Sequence, residues 1–271
     1  MKFGICNEIF AGWKLEDAMA YAKNAGYHAI EIAPFTIAPY VTEVSQEKRM
    51  EIRFAAETLG LNISGIHWVL AHTEGMHLTH PDEEVRVRTA KYLVDLVDFC
   101  ADIGGEFMVV GSPKQRDVIP GVMKEGAWQF ARAVFRDAVI RAGERNVTIC
   151  IEPLAPEETN FINTVQEAIR FTQQFNSPYF KIVLDVKAMS SERFSITDLI
   201  KDAWPNFAYF HANDTNLKGP GFGKVDFKPI ATALKKVGYN GYVSVEVFNF
   251  EEGPEVIATK SLETLKKAFG I

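Results

Sequence analysis

The sequence predicts an α/β fold, a single (β/α)8 TIM barrel spanning residues 1–271 as one domain. Short apolar runs rich in β-branched residues alternate with amphipathic helical stretches along the whole chain. No linker or low-complexity insert interrupts them. Strict alternation of this kind calls for a parallel sheet with helices outside it. The rhythm passes through eight units in 271 residues, the size of a closed eight-stranded barrel. An open doubly wound sheet would be expected to carry a glycine-rich phosphate turn after its first strand, and Cys6-Asn7-Glu8-Ile9-Phe10 offers none.

Phe3-Gly4-Ile5-Cys6 is the first strand, and Leu15 to Asn24 the first helix, with Leu15, Ala18, Met19 and Ala22 on one face and Gly26 closing it. His28 to Ile32 is the second strand; a helix from Gln46 to Leu59 stops at Gly60, and Leu61 to His67 is the third strand. Asp82 to Ile103 is a long amphipathic helix ended by Gly104-Gly105, followed by the strand Phe107-Met108-Val109-Val110. Helices over about 124–143, 164–175, 196–203 and 226–237 then precede strands that end at Glu152, Asp185, His211 and near Glu246. Pro254 to Phe269 is the last helix, the eighth.

Composition narrows the function classes. With 35 acidic residues against 29 Lys and Arg, a formal charge of −6 and no dense basic run, a nucleic-acid partner is not expected. Cys6, Cys100 and Cys150 are an odd set without close spacing, so neither a disulfide framework nor a cysteine zinc site is expected, and a reducing compartment follows. Met1-Lys2-Phe3-Gly4-Ile5 reads as a strand rather than a leader, and no run approaches the roughly 18 apolar residues of a membrane span. The expectation is a cytoplasmic protein with no membrane partner.

The chemistry concentrates at four strand ends. Ile149-Cys150-Ile151 delivers Glu152, Lys181-Ile182-Val183-Leu184 delivers Asp185, Phe207-Ala208-Tyr209-Phe210 delivers His211, and Tyr242-Val243-Ser244-Val245 delivers Glu246. In such a barrel the active site lies at the C-terminal ends of the strands. Each carboxylate alone reads as a rim salt bridge or helix cap, and the histidine alone as a core residue. Four such groups on consecutive strands read instead as ligands of one divalent metal ion. Three converging carboxylates resist ionising unless a cation sits among them. One imidazole with three carboxylates suits Mn²⁺, Mg²⁺, Co²⁺ or Zn²⁺ and does not choose between them; Mn²⁺ is the ion expected first.

At these residues the sequence resembles the sugar isomerase/epimerase superfamily with the xylose-isomerase-like barrel, and within it ketose 3-epimerases of the tagatose/psicose type. The resemblance rests on Ile151-Glu152-Pro153-Leu154 with Glu158 and Asn163-Thr164, Leu184-Asp185, His211-Ala212-Asn213-Asp214, the turn from Gly219 to Phe227, and Val245-Glu246. It implies that Glu152, Asp185, His211 and Glu246 hold the metal. It also implies that Glu152 and Glu246 are the acid/base pair, removing and returning a proton beside a carbonyl through a metal-stabilised enediolate. Glu158 matches a position that binds substrate hydroxyls.

Two positions depart from that pattern. Ala188 stands where the family commonly has histidine, and Leu217 where it commonly has arginine, with Lys218 adjacent as a flexible substitute. Two substrate-gripping groups are therefore missing, which keeps a lyase or dehydratase on a keto-sugar or keto-cyclitol in view, and a non-catalytic sugar-binding barrel behind it. The three-zinc DNA-repair endonucleases of the superfamily are the other competitor. His67 fits their pattern, but strand four ends without histidine, Ala188 fills another required place, and Asp226-Phe227-Lys228 lacks a third. His67 then reads as a pocket wall or a hydrogen-bond donor to substrate beside Trp68. Trp13, Phe35 and Trp68 lie beyond strands one to three, where they either stack on a sugar or pack beneath loops. His72, His77 and His80 read as a polar loop or a lid. The overall expectation is a metal-dependent isomerase or epimerase with a small sugar substrate, in a chain that could also form a homo-oligomer.

Overall fold

Side chains two apart on a strand share a face, and that period places the carboxylates and the histidine at the barrel mouth. The computed structural model describes residues 1–271. Its strands are β1 (Lys2–Cys6), β2 (Ala29–Ile32), β3 (Asn62–Ile66), β4 (Phe107–Val110), β5 (Thr148–Ile151), β6 (Phe180–Asp185), β7 (Phe207–Ala212) and β8 (Tyr242–Val245). They pair in sequence order, all parallel, and β8 closes on β1. The helices are α1 (Leu15–Ala25), α2 (Gln46–Leu59), α3 (Glu83–Asp102), α4 (Lys124–Arg145), α5 (Val165–Gln173), α6 (Val186–Met189), α7 (Ile196–Ala203), α8 (Phe227–Lys236) and α9 (Pro254–Phe269).

The helix boundaries follow local chemistry. Ser45, Asp82, Thr164, Ser195 and Asp226 each accept a backbone N–H at a helix start. Gly26 and Gly60 end α1 and α2 with positive φ of 102° and 61°. The expectation of eight helices needs one addition. The single-turn α6 follows β6 directly because Asp185, besides ending the strand, caps it by accepting the Ala188 N–H at 2.7 Å.

The larger core lies between strands and helices. A second apolar cluster joins Ala29, Val109, Cys150, Val183, Tyr209 and Tyr242, residues of β2 and β4 to β8 that meet on the barrel axis. Two positions further along their strands stand Glu31, Gly111, Glu152, Asp185, His211 and Ser244. The same face that fills the barrel therefore delivers the polar groups to its C-terminal mouth. All three cysteines are free and buried, and no helix is long and apolar enough to cross a membrane.

Candidate active site

Asp185 is the last residue of β6 and His211 lies one before the end of β7, paired in register with it. Glu152 and Glu246 stand one residue beyond β5 and β8, their backbone N–H groups still donating to Val110 and Ala212 on the neighbouring strands. One ligand atom from each of the four lies within 4.8 Å of the others, and all four residues are buried. His211 Nδ1 is 3.2 Å from Glu246 Oε2 and 3.9 Å from Glu152 Oε1. Neither His211 Nδ1 nor Glu246 Oε2 has a hydrogen-bond partner.

These are the marks of a cation site. Burial first, then the charges of Glu152 and Glu246, push the Asp185 carboxyl up to about 8. Burial would lower the His211 imidazole, but Glu246 and Glu31 outweigh it and hold it well above its ordinary range. Such a cluster without a counter-ion retains protons that a divalent cation displaces, and the orphaned Nδ1 and Oε2 supply lone pairs for it. The residues present fit a divalent metal.

The surroundings orient the ligands. His211 Nε2 lies 3.1 and 3.2 Å from the two Glu31 oxygens, so it donates there and leaves the Nδ1 lone pair facing the cluster, the carboxylate–histidine arrangement of metal sites. Glu31 is fully buried and also accepts from Tyr209 Oη at 2.9 Å. Burial opposes its ionisation, but His211 and His67 hold its carboxyl down to about 2. Asn213 donates to Asp185 Oδ2. The buried guanidinium of Arg116 donates to the carbonyls of Glu152 and Val110, fixing the chain as it leaves β4 and β5. Trp68 Nε1 donates to Glu246 Oε1 at 3.0 Å, and the ring stacks on Phe248. Trp68 does so with a φ of 52°, a conformation that costs a bulky residue strain and is kept at binding sites.

Two changes test this support. A Cβ on Gly111 would lie 1.8 Å from Glu152 Oε2, so the glycine is there to admit the carboxylate. Gly111→Ala is expected to displace Glu152 and lower kcat/KM by about 100-fold with the fold retained, measured by steady-state kinetics beside circular dichroism. Glu31→Gln is expected to weaken metal binding by about 10- to 100-fold in a calorimetric titration.

Above the cluster lies a cavity of about 470 Å³, lined by Glu152, Asp185, Glu158, Lys187, Trp68 and Phe248 among others. Glu158 pairs with Lys187 at 2.6 Å, and that ammonium lies 4.7 Å from the Phe248 ring centroid. Trp13 and Phe35 line an adjoining cavity of about 460 Å³ that also meets Trp68 and His72. Trp13 lines that cavity and packs on Phe10 and Tyr21.

Two expected substrate contacts are placed otherwise. His67 is fully buried beneath the mouth, 2.9 Å from Glu8 Oε2 and 3.7 Å from Glu31 Oε1, and lines neither cavity. Burial lowers its pKa, but Glu8 and Glu31 outweigh it and hold it up to about 9. Lys218 lines neither cavity, because Glu251 and Glu252 on the loop after β8 hold its ammonium. Leu217 is exposed with a φ of 68°, and its carbonyl accepts from Phe248 and Asn249, so this loop braces the β8 loop. His77 and His80 accept from neighbouring backbone amides in their own loop, while His72 alone of the three reaches the cavities.

Sequence reasoning missed Glu31, Glu8, Arg116 and Gly111. Glu31 carried a signal, a carboxylate inside the apolar run Ala29-Ile30-Glu31-Ile32; Arg116 carried none.

A closed parallel barrel with a buried carboxylate/histidine cluster at its C-terminal mouth has the donor set to hold a divalent cation there. Residues 19–268 match the model of the xylose isomerase-like TIM barrel family, and the chain belongs to that family. It is 28% identical to a D-psicose 3-epimerase of Ruminiclostridium cellulolyticum over 92% of this chain and 84% of that one. It is 22% identical to the 3-dehydro-D-guloside 4-epimerase of Escherichia coli over 98% and 99% of the two chains. The crystal structure of D-psicose 3-epimerase with D-tagatose from Clostridium cellulolyticum H10 superposes with a TM-score of 0.87 at 23% identity, covering 99% of each chain.

Proposed function

We propose that this chain epimerises a keto-sugar by moving a proton off and onto a carbon beside a carbonyl, with Glu152 and Glu246 as the two proton carriers and a divalent ion, Mn²⁺ foremost, held by Glu152, Asp185, His211 and Glu246. The family and the epimerase relatives make the chain an enzyme of the sugar isomerase/epimerase type. The observation that carries the mechanism is the convergence of four buried ligand atoms within 4.8 Å, two of them on carboxylates from strands separated by β6 and β7. A bound divalent cation there supplies a Lewis acid that polarises the substrate carbonyl and offsets negative charge as the proton leaves.

The chain's own groups do the rest. Glu152 and Glu246 stand at the ends of β5 and β8, with β6 and β7 between them; in this reading one removes the proton and the other returns it to the opposite face, which inverts the centre. Trp68 fixes Glu246 through its indole N–H, and Arg116 with the space at Gly111 fixes Glu152. The Glu158–Lys187 pair at the cavity wall presents an acceptor and a cationic donor to substrate hydroxyls, in place of the histidine absent at Ala188. The relatives named above are epimerases, and no observation favours the lyase or the non-catalytic reading.

The test is proton exchange. Incubated with Mn²⁺ in deuterated water, the enzyme is expected to place deuterium beside the carbonyl of a member of a panel of ketoses and 3-keto-sugars, followed by NMR and mass spectrometry. Formation of a conjugated enone absorbing in the ultraviolet, without exchange into an epimer, would contradict epimerisation.

A further inference from the structure

The charges around the cavity of about 470 Å³ at the ligand cluster do not cancel evenly. Glu152 and Asp185 line it, and their carboxylates belong to the cation site. Glu158 and Lys187 line it too, and at 2.6 Å each neutralises the other. The loop after β4 is different. Ser112, Lys114 and Gln115 of that loop line the same cavity with donors that have no acceptor in the protein. Lys114 is exposed and its ammonium forms no ion pair, and the Gln115 side-chain amide makes no hydrogen bond. Ser112 Oγ accepts the Leu70 N–H at 3.2 Å, which leaves its own hydrogen to give.

The same loop carries a second cation without a counter-ion. Arg116 is fully buried and donates only to the carbonyls of Glu152 and Val110, while its Nε has no partner. Residues 112–117 hold these two cations against one acid, Asp117, whose Oδ1 accepts from Thr159 Oγ1 and the Asn160 N–H. A guanidinium buried without a partner charge is destabilising, and an anion brought near it relieves that cost. In a chain of net charge −6, a loop with an excess of positive charge beside the ligand cluster is a local exception that attracts negative ligands.

We propose that the β4 loop binds a carboxylate on the substrate, so that the keto-sugar is a sugar acid. This rests on the epimerase reading above. The charge count selects a carboxylate. Glu158 neutralises Lys187, so Lys114 is the one free ammonium among the lining residues, a match for a single negative charge. A phosphoryl dianion would call for more cationic donors around its three oxygens. Lys114 and Gln115 supply N–H groups to the two carboxylate oxygens and Ser112 an O–H, which makes Lys114 and Gln115 specificity-determining residues.

The experiment compares D-fructose, D-fructuronate and D-fructose 6-phosphate, and the matching D-tagatose set, by deuterium exchange on the Mn²⁺-loaded enzyme. Members of each set share the keto group and differ only at the far carbon. The expected result is a kcat/KM larger by about tenfold or more for the carboxylate than for the free ketose. That ratio is expected to fall towards one in Lys114→Gln, to persist in Lys114→Arg, and to shrink in about 0.5 M NaCl, which screens an exposed ammonium. Because Lys114 is exposed, neither substitution disturbs the core. Equal kcat/KM for carboxylate and free ketose, or a ratio that survives Lys114→Gln, overturns the carboxylate site and leaves the epimerase reading standing. A 6-phosphate turned over faster than the carboxylate also overturns it. Absence of exchange with every member of both sets overturns the epimerase reading and this inference together.

Discussion

Glu246→Gln is expected to lower the rate of deuterium exchange by about 100- to 10,000-fold, the range that a positioned general base contributes. Glutamine preserves the shape of the side chain and can still accept the Trp68 indole N–H that Glu246 Oε1 accepts at 3.0 Å. What it removes is the anionic Oε2, which has no other partner and lies 3.2 Å from His211 Nδ1. The side chain is fully buried, so the amide introduces no new surface and the fold should persist. Because Glu246 is also a ligand in this account, Mn²⁺ content is measured on the same sample. Loss of exchange in metal-loaded Glu246→Gln assigns the proton transfer to this carboxylate. Exchange at the wild-type rate would remove it from the mechanism.

Metal affinity is expected to fall by about tenfold per pH unit, or more, as the pH drops below 8. An aspartate in the unfolded chain ionises near 4, whereas burial and the charges of Glu152 and Glu246 keep a proton on Asp185 up to about 8. Between those values the folded metal-free chain binds more protons than the unfolded chain, so its stability falls as the pH rises through that window. A divalent cation takes the place of the proton, so binding releases at least one, with a further contribution from His211. Calorimetric titrations of Mn²⁺ in buffers of different ionisation heat count the protons directly. Thermal stabilisation by Mn²⁺ should likewise be larger at pH 8 than at pH 6. A pH-independent affinity between 6 and 8 would mean that the cluster is not desolvated as described.

The barrel was legible because alternation of strand and helix is a local property, punctuated by glycines that end helices and Ser, Thr or Asp that start them. The convergence of Glu152, Asp185, His211 and Glu246 was legible for a related reason: each closes an apolar run, and a charged group there has to be justified. What surrounds the ligands was less so. Glu31 could have been found, since a carboxylate within a buried strand needs partners, but which histidines it meets depends on barrel closure across 180 residues of sequence. Arg116 sits in a loop whose burial no local pattern announces. His67 was read as a pocket wall or a hydrogen-bond donor to substrate beside Trp68, once the three-zinc pattern failed; two acids, Glu8 and Glu31, hold it beneath the mouth instead. Lys218 was read as a stand-in for a missing arginine, and two glutamates more than thirty residues on claim it. Pairings between distant loops decide such positions, and a single sequence does not record them.

The claim on which all of this rests is that Glu152, Asp185, His211 and Glu246 hold one divalent ion. Calorimetric titration of chelator-treated protein with Mn²⁺, paired with elemental analysis, tests it most directly. The account predicts one ion per chain in the wild-type protein and loss of that binding in Asp185→Asn and His211→Ala, with folding verified by circular dichroism. Stoichiometric binding that survives both substitutions, or no binding by the wild-type chain at pH 8, would contradict it.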